Sequence, residues 1–190
     1  MKLFVKRVID VFLSLIGILV FSPFWTVIAL LIKWESSGPV LYKHARVGKG
    51  GKEFICLKFR SMKTNSDPNK LVSDPQDNRV TRIGNFLRTT SLDETPQLTN
   101  VFFGHMSIVG PRPALPSQVK DFTKNDFDKL LVKPGLTGWT QVNGRNSIPY
   151  EKRMELDTWY ARNWNLLLDL KILFKTIFVL FKQDGIYDVK

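Results

Sequence analysis

The chain has 190 residues, a single cysteine and a formal net charge of +11, from 28 Lys and Arg against 17 Asp and Glu. This length favours one domain with a proper core over two, and a single cysteine excludes an internal disulfide. The positive charge favours partners that carry negative charge, which are nucleic acid, anionic lipid and phosphorylated substrates. Charge alone does not choose among them.

The first predicted element is a membrane segment over the uncharged run from Val11 to Ile32. A straight helix of this length would span about 33 Å, enough to cross a hydrocarbon core of ~30 Å. Ser22-Pro23 lies in the middle of the run, and proline removes one helical hydrogen bond and crowds the preceding turn. A bend is therefore predicted there, either in a kinked spanning helix or in a hairpin that enters and leaves one leaflet. Basic residues on both flanks favour the hairpin.

Two short strands are predicted next, over residues 39–47 and 53–59, around the turn Gly48-Lys49-Gly50-Gly51. This turn lacks the pattern of a phosphate-binding loop. Cys56 is expected to be a buried strand residue. His44 and His105 have no partners at metal-ligand spacing, which argues against a zinc site.

Helices are predicted near residues 94–103, 117–131 and 150–162, separated by loops rich in glycine and proline. The apolar tail over 164–182 is interrupted by charged residues, which predicts a helix in the membrane interface or an ordinary buried helix. Asp126-Phe127-Asp128 has the spacing of a metal-binding motif. A helix with a buried Phe and solvated charges explains it more simply.

The densest polar cluster runs from Arg88 to Asn100. Ser91 and Glu94 have the spacing of a capping box, which would give them a structural role worth about 1 kcal/mol. Pro96 fits poorly in the second turn of such a helix. A helix that begins at Asp93 places the proline in the first turn, where its missing N–H costs nothing.

In either arrangement Asp93 lies at a helix N-terminus, where partial positive charge favours a carboxylate and any phosphate beside it. Arg88 and Arg112 are close in sequence, and the planar fork of arginine suits phosphate oxygens. The region therefore favours phosphoryl chemistry.

Four ordered motifs resemble the bacterial sugar transferase family, the monotopic phosphoglycosyl transferases. They are Lys58-Phe-Arg-Ser-Met62, Ser91-Leu-Asp-Glu94, Gly104-His-Met-Ser-Ile-Val-Gly-Pro-Arg-Pro113 and Lys133-Pro-Gly-Leu-Thr-Gly-Trp-Thr-Gln-Val-Asn-Gly-Arg145. The resemblance runs from Ser22-Pro23 to Asp169-Leu-Lys-Ile172, nearly the whole chain. Thr95 and Asn165 depart from the usual pattern.

The resemblance implies transfer of a sugar 1-phosphate from a UDP-sugar to undecaprenyl or another polyprenyl phosphate, with release of UMP. This would be the first membrane step of glycoconjugate assembly. Asp93 is implied as the nucleophile, through a covalent phosphosugar intermediate, and as a ligand of Mg²⁺, with Glu94 as its catalytic partner. The substrate-binding residues expected on this basis are Lys58, Arg60, Arg88, Arg112, Gln141, Arg145 and Asp157.

The implied fold is α+β and helix-rich, with a small β-hairpin and interfacial amphipathic helices around a compact catalytic domain. Residues 1–36 would form a re-entrant membrane helix-hairpin broken at Ser22-Pro23, and residues 37–190 the catalytic domain. Such a monotopic protein would lie at the cytoplasmic face of the bacterial inner membrane. The expected partners are UDP-sugar, polyprenyl phosphate and membrane lipid, with no nucleic acid and with homo-oligomerisation left open. A membrane-tethered nucleic-acid-binding module and a non-catalytic scaffold are the alternative functions.

Overall fold

The computed structural model describes residues 1–64, 77–144 and 147–182, and it is helix-rich with two small sheets. The helices and strands follow in chain order: α1 (Lys2–Glu35), β1 (Leu41–Val47), β2 (Glu53–Phe59), α2 (Arg82–Thr89), α3 (Gln97–Phe102), β3 (Ser107–Val109), α4 (Pro116–Val119), β4 (Gly135–Thr137), α5 (Tyr150–Asn163) and α6 (Leu166–Lys182). The helix-rich α+β class is confirmed.

Helix α1 continues through Pro23, so the predicted bend does not end the helix. Proline has no N–H for the carbonyl of Leu19, four residues earlier. The hydroxyl of Ser22 donates to that carbonyl at 3.1 Å and replaces the missing bond. Among the described residues, α1 is the one helix long and apolar enough to cross a membrane by length and composition.

Near its start, α1 turns polar side chains toward the domain, whereas much of its apolar surface is exposed. This is the reverse of a helix in a soluble protein. Asp10 is buried and accepts hydrogen bonds from Ser107 Oγ and Ile108 N, both at 2.9 Å. Lys6 Nζ donates to the carbonyl of Val109 at 3.0 Å. The exposed apolar side chains include Phe4, Phe12, Leu19, Phe24 and Leu30. A large apolar surface of this kind is typical of a membrane contact.

The two-stranded hairpin is confirmed, with β1 two residues shorter at its start than predicted. β1 pairs with β2 in antiparallel register, from Leu41 opposite Phe59 to Val47 opposite Glu53. The turn needs glycine, since Gly50 and Gly51 both have positive φ, at 67° and 76°. Cys56 is buried on β2, as expected. The second sheet is the short parallel pair of β3 and β4.

The tail is a helix, as predicted, and one side of it is apolar and exposed. The exposed residues recur at helical spacing and are Leu167, Leu170, Phe174, Ile177 and Phe178. The opposite side buries Ile172 and Asp169 against the domain. This two-sided pattern favours a helix in the membrane interface over an ordinary buried helix.

The predicted helix over 117–131 is wrong. α4 ends at Val119, and Asp126–Leu131 forms a separate 3₁₀ turn. Between the two elements, the carboxylate of Asp126 accepts from both the N–H and the hydroxyl of Thr123, at 2.8 and 2.7 Å, which forms a local turn. Phe127 is exposed rather than buried, and Asp128 pairs with Arg162 at 2.6 Å. Both aspartates thus have structural partners.

Of the remaining predicted helices, α5 begins where it was predicted and α3 begins later. α5 contains the predicted range 150–162, and α3 begins at Gln97 instead of at 94. A 3₁₀ turn, Leu92–Glu94, precedes α3. Arg7 lies against the end of α3, where its guanidinium donates to the carbonyls of Val101 and Phe102 at 2.7 and 2.6 Å. A cation at a helix C-terminus satisfies carbonyls that have no partner within the helix.

Arg60 donates hydrogen bonds to carbonyls at the C-terminal end of α1. Its guanidinium donates to the carbonyls of Ser36 and Ser37 at 2.7 and 2.6 Å, and to the Ser36 hydroxyl at 3.0 Å. The side chain is buried. It therefore fixes the angle at which the membrane-type helix leaves the domain.

We expect Arg60→Met to lower the free energy of unfolding by about 3 kcal/mol, because two carbonyls at the end of α1 lose charge-assisted donors. Chemical denaturation in one detergent checks this. Arg162→Met is the matched control, because it breaks an exposed pair and should cost less than about 1 kcal/mol. Equal losses in both variants would contradict the capping role.

Candidate active site

The turn that carries the two carboxylates is set by Ser91. This residue has left-handed backbone angles, φ 58° and ψ 15°, and its side chain makes no capping hydrogen bond. The capping-box interpretation of Ser91 and Glu94 is therefore wrong. A left-handed residue other than glycine costs roughly 1 kcal/mol or more and is often found at functional sites. It directs the chain from α2 into the 3₁₀ turn that holds Asp93 and Glu94 next to α3.

Glu94 is held by two cations from two different elements. Lys58 Nζ on β2 lies 2.6 Å from Glu94 Oε1, and Arg112 Nη2 from the loop after β3 lies 3.4 Å from the same oxygen. The Lys58 and Glu94 side chains are largely shielded, whereas Arg112 is 44% exposed. Glu94 thus gathers Lys58 and Arg112 at one place and leaves part of the Arg112 guanidinium accessible.

Asp93 is only 8% exposed. Burial raises its pKa to about 6 from the ordinary 3.8, and Glu94 adds to the rise. Lys58, Arg88 and Arg112 act in the opposite direction, but burial outweighs them. An ionised Asp93 is therefore poorly solvated, which favours its reaction with an electrophile or its binding to a cation.

A cavity opens beside Glu94, and its wall carries more positive than negative charge. It is lined by Arg46, Cys56, Lys58, Glu94, Gln97, Arg112, Pro113, Gly135 and Leu136. Three cations face one carboxylate in this wall. Such an arrangement suits a ligand with phosphate groups.

Five of the predicted site residues come together here: Asp93, Glu94, Lys58, Arg88 and Arg112. Arg88 lies close enough to lower the pKa of Asp93. Its Nη1 atom is buried without a hydrogen-bond partner among the described residues. A buried guanidinium N–H in that state is available to a ligand oxygen.

The three other predicted residues that the structure describes have contacts of their own, although Asp157 is near enough to Arg112 to raise the pKa of that guanidinium. Arg60 binds the end of α1. Asp157 is buried in an ion pair with Lys129 at 2.7 Å and accepts from the Thr140 hydroxyl at 2.6 Å. Gln141 is buried, and both polar atoms of its amide have no partner within the described chain. Arg145 lies outside the described residues.

Arg46, Cys56 and Gln97 line the cavity and were not predicted as site residues. For Arg46 and Cys56 a signal exists in the strand pairing. Directly paired residues of an antiparallel hairpin share a face, and every second residue returns to it. Because Lys58 pairs with Tyr42 and Cys56 with His44, the same face continues to Arg46.

The adjacent carboxylates of Asp93 and Glu94 are the groups to consider for a metal ion at this site. No group of three or more Asp, Glu, His or Cys able to hold a metal exists in ranges 1–64, 77–144 and 147–182. Mg²⁺ needs no such cage, since it is commonly held by one or two carboxylates together with water and substrate phosphates. Asp93 and Glu94 provide that set.

The sequence matches the bacterial sugar transferase family over residues 1–183. It is 42% identical to the UDP-galactose-lipid carrier transferase of Erwinia amylovora, over 97% of this chain and 42% of that protein. It is 43% identical to the UDP-glucose:undecaprenyl-phosphate glucose-1-phosphate transferase of Escherichia coli (strain K12), over 96% of this chain and 41% of that protein. The exopolysaccharide production protein ExoY of Rhizobium meliloti (strain 1021) is 39% identical, over 96% and 88%. The chain thus spans less than half the length of the first two relatives and most of the third.

The raised pKa of Asp93 predicts a gain in stability on neutralisation. The pKa of this carboxyl is about 6 in the folded protein and 3.8 ordinarily, so its ionisation lowers the free energy of unfolding as the pH rises between these values. The full loss is reached above pH 6. Asp93→Asn should therefore stabilise the fold at pH 7.5 by up to about 3 kcal/mol, and by little near pH 4. Denaturation at the two pH values measures this. Asp128→Asn, which removes a carboxylate from an exposed ion pair, should give no gain. Equal stability of wild type and Asp93→Asn at pH 7.5 would contradict a free-energy cost of burying the ionised Asp93.

Proposed function

Since this chain belongs to the bacterial sugar transferase family, we propose that it transfers a sugar 1-phosphate from a UDP-sugar to undecaprenyl or another polyprenyl phosphate. The products are UMP and a polyprenyl-diphosphate sugar. The observation that carries this proposal is the buried Asp93 next to Glu94, which lines a cavity with excess positive charge. The named activities of the relatives support the substrate classes. One relative is named for galactose and another for glucose, so the sugar stays open.

In the first step, an oxygen of Asp93 attacks the phosphorus that carries the sugar. A bond forms between the carboxylate oxygen and that phosphorus, and the bond from the phosphorus to the bridging oxygen breaks. UMP leaves with the electron pair, and the sugar phosphate stays on the enzyme as an acyl phosphate. A carboxylate is a weak nucleophile, so the step depends on alignment and on neutralising phosphate charge, which Lys58, Arg88 and Arg112 provide.

In the second step, a phosphate oxygen of the lipid attacks the same phosphorus. The new diphosphate bond forms as the bond to Asp93 breaks, and the carboxylate is regenerated. The two substrates then use one small cavity in turn. Glu94 keeps Lys58 and Arg112 in place through both steps, because it binds both cations.

Mg²⁺ is the proposed cofactor, with Asp93 and Glu94 as its ligands from the protein. When bound, it would neutralise phosphate charge on the donor. The repulsion between the two adjacent carboxylates supports a cation at this place, since Glu94 contributes to raising the pKa of Asp93.

The proposed location is the cytoplasmic face of the bacterial inner membrane, with α1 as a re-entrant element that bends at Ser22-Pro23. Both ends of α1 bind the same domain, which supports this topology: Arg7 contacts the end of α3, and Ser36 is bound by Arg60. A helix that crossed the bilayer would place its two ends on opposite sides. The exposed apolar sides of α1 and α6 would hold the cavity at the depth of the lipid phosphate.

The topology predicts that Lys2 and Lys52 face the same compartment. With Lys2→Cys or Lys52→Cys in a Cys56→Ala background, an impermeant thiol reagent should label neither site in intact spheroplasts and both after permeabilisation. Labelling of the Lys2 site alone from outside would mean a spanning helix. Pro23→Ala should move α1 toward spanning, because it supplies a backbone N–H and removes the crowding of the proline ring against the preceding turn.

The covalent step predicts a trapped intermediate. Enzyme with Mg²⁺ and UDP-glucose or UDP-galactose, without lipid, should release up to one UMP per active site. The peptide that contains Asp93 should gain the mass of a hexose phosphate. Asp93→Asn should abolish both signals because an amide cannot form the acyl phosphate, whereas Glu94→Gln should slow them.

Asp128→Asn is the control for the loss of a carboxylate, because Asp128 lies in a surface ion pair and should leave both signals intact. Full turnover by Asp93→Asn would contradict the covalent mechanism. So would kinetics that require donor and lipid to be bound together, with no adduct trapped. Direct attack by the lipid phosphate would then take its place.

A further inference from the structure

Arg46 lies on the face of the β-hairpin that forms one wall of the cavity. The register pairs Tyr42 with Lys58 and His44 with Cys56, and Arg46 is the next residue of β1 on that face. Arg46 lines the cavity together with Lys58 and Arg112. The hairpin therefore brings a further arginine to the place where Glu94 gathers the other two cations.

No carboxylate of the described chain lies within ion-pair distance of the Arg46 guanidinium. Its Nη1 donates to the carbonyl of Pro113 at 3.2 Å, and its Nη2 lies 3.4 Å from His44 Nδ1. Both contacts are with uncharged groups, since burial, Arg46 and Lys58 lower the pKa of His44 to about 4. A half-buried guanidinium without an anion is poorly stabilised by these contacts alone.

Arg112 destabilises the charged Arg46 further, because it is a second cation nearby. Burial and then Arg112 lower the pKa of Arg46 below its ordinary value, which records the repulsion between the two groups. Glu94 attracts Arg46, but this carboxylate already binds Lys58 and Arg112. An anion bound in the cavity would relieve the repulsion between the two guanidinium groups.

We propose that Arg46 is a phosphate-binding residue of this cavity, which acts beside Arg112 on the donor diphosphate or on the lipid phosphate. The identity of the phosphates rests on the proposed function. The choice of Arg46 rests on the geometry of the cavity. A purely structural role explains Arg46 less well. The loop after Arg112 is already fixed to β1, because the N–H of Val47 donates to the carbonyl of Ala114 at 2.9 Å.

The test uses inorganic pyrophosphate as a probe, with the full chain in detergent and binding measured by titration calorimetry. Arg46→Met should weaken pyrophosphate binding by about tenfold or more, which corresponds to the loss of one charge-assisted contact. Arg46→Lys should bind with intermediate strength, because it keeps the charge and loses the fork. Lys43→Met is the matched control, since it removes the same charge from an exposed position on the same strand and should leave binding unchanged.

A double-mutant cycle separates direct contact from an effect through Arg112. If both arginines contact pyrophosphate, Arg46→Met should still weaken binding in an Arg112→Met background, by a factor that the lost repulsion between the two groups alters. No further loss in the Arg112→Met background would mean that Arg46 only positions Arg112, and would overturn the proposal. Wild-type affinity in Arg46→Met would overturn it as well. Should Arg46→Met fail to fold, the same comparisons are made with Arg46→Lys.

Kinetics of the two half-reactions identify the source of the phosphate. Slower UMP release by Arg46→Lys without lipid assigns the contact to the donor diphosphate. Slower transfer from a preformed adduct to polyprenyl phosphate assigns it to the lipid phosphate. Because pyrophosphate binding is measured without turnover, its loss in Arg46→Met supports the site even if the wild type releases no UMP. That last result would refute the proposed function alone.

Discussion

The architecture depends on the inward-facing polar groups of α1. Asp10 and Lys6 bind the backbone and side chains of β3, and β3 leads directly into the loop that carries Arg112. Farther along the helix, Trp25 Nε1 donates to the Thr95 hydroxyl at 2.9 Å, one residue after Glu94. The helix that presents apolar surface outward thus also fixes the positions of the groups that form the cavity. Seating of α1 in a membrane and the geometry of the site are therefore mechanically linked.

Within that frame, the site holds more positive charge than its own carboxylates neutralise. Glu94 is shared by Lys58 and Arg112, and Arg46 has no carboxylate of its own within the described chain. Asp93 is buried to a degree that raises its pKa. The excess positive charge and the burial of Asp93 are unfavourable in the free protein, and a bound phosphate group or cation would relieve them, which is typical of a site organised for its ligand.

Several polar residues of the motifs serve the architecture, although they lie near residues of the site in sequence. Arg60 follows Lys58 by two positions on the same hairpin, yet it closes the end of α1. Asp157, which was also expected to bind substrate, forms an ion pair with Lys129 and accepts a hydrogen bond from Thr140. Ser91 acts through its backbone conformation, not through its hydroxyl as a cap. The same short motifs therefore supply both the reacting groups and the contacts that hold them.

The amino-acid order was enough for features that depend on neighbouring residues: the apolar α1, the glycine turn of the hairpin, and the helices α5 and α6. The motif resemblance also placed Asp93, Glu94, Lys58, Arg88 and Arg112 in one site, and the structure brings them together. Pairing of β1 with β2 brought Arg46 to the cavity, and long-range contacts gave Arg60 and Asp157 partners that the sequence did not predict. The left-handed backbone of Ser91 likewise set the 3₁₀ turn that precedes α3. Helical period and turn chemistry are local properties of a sequence, whereas the partner of a buried charge is fixed only when distant segments pack together.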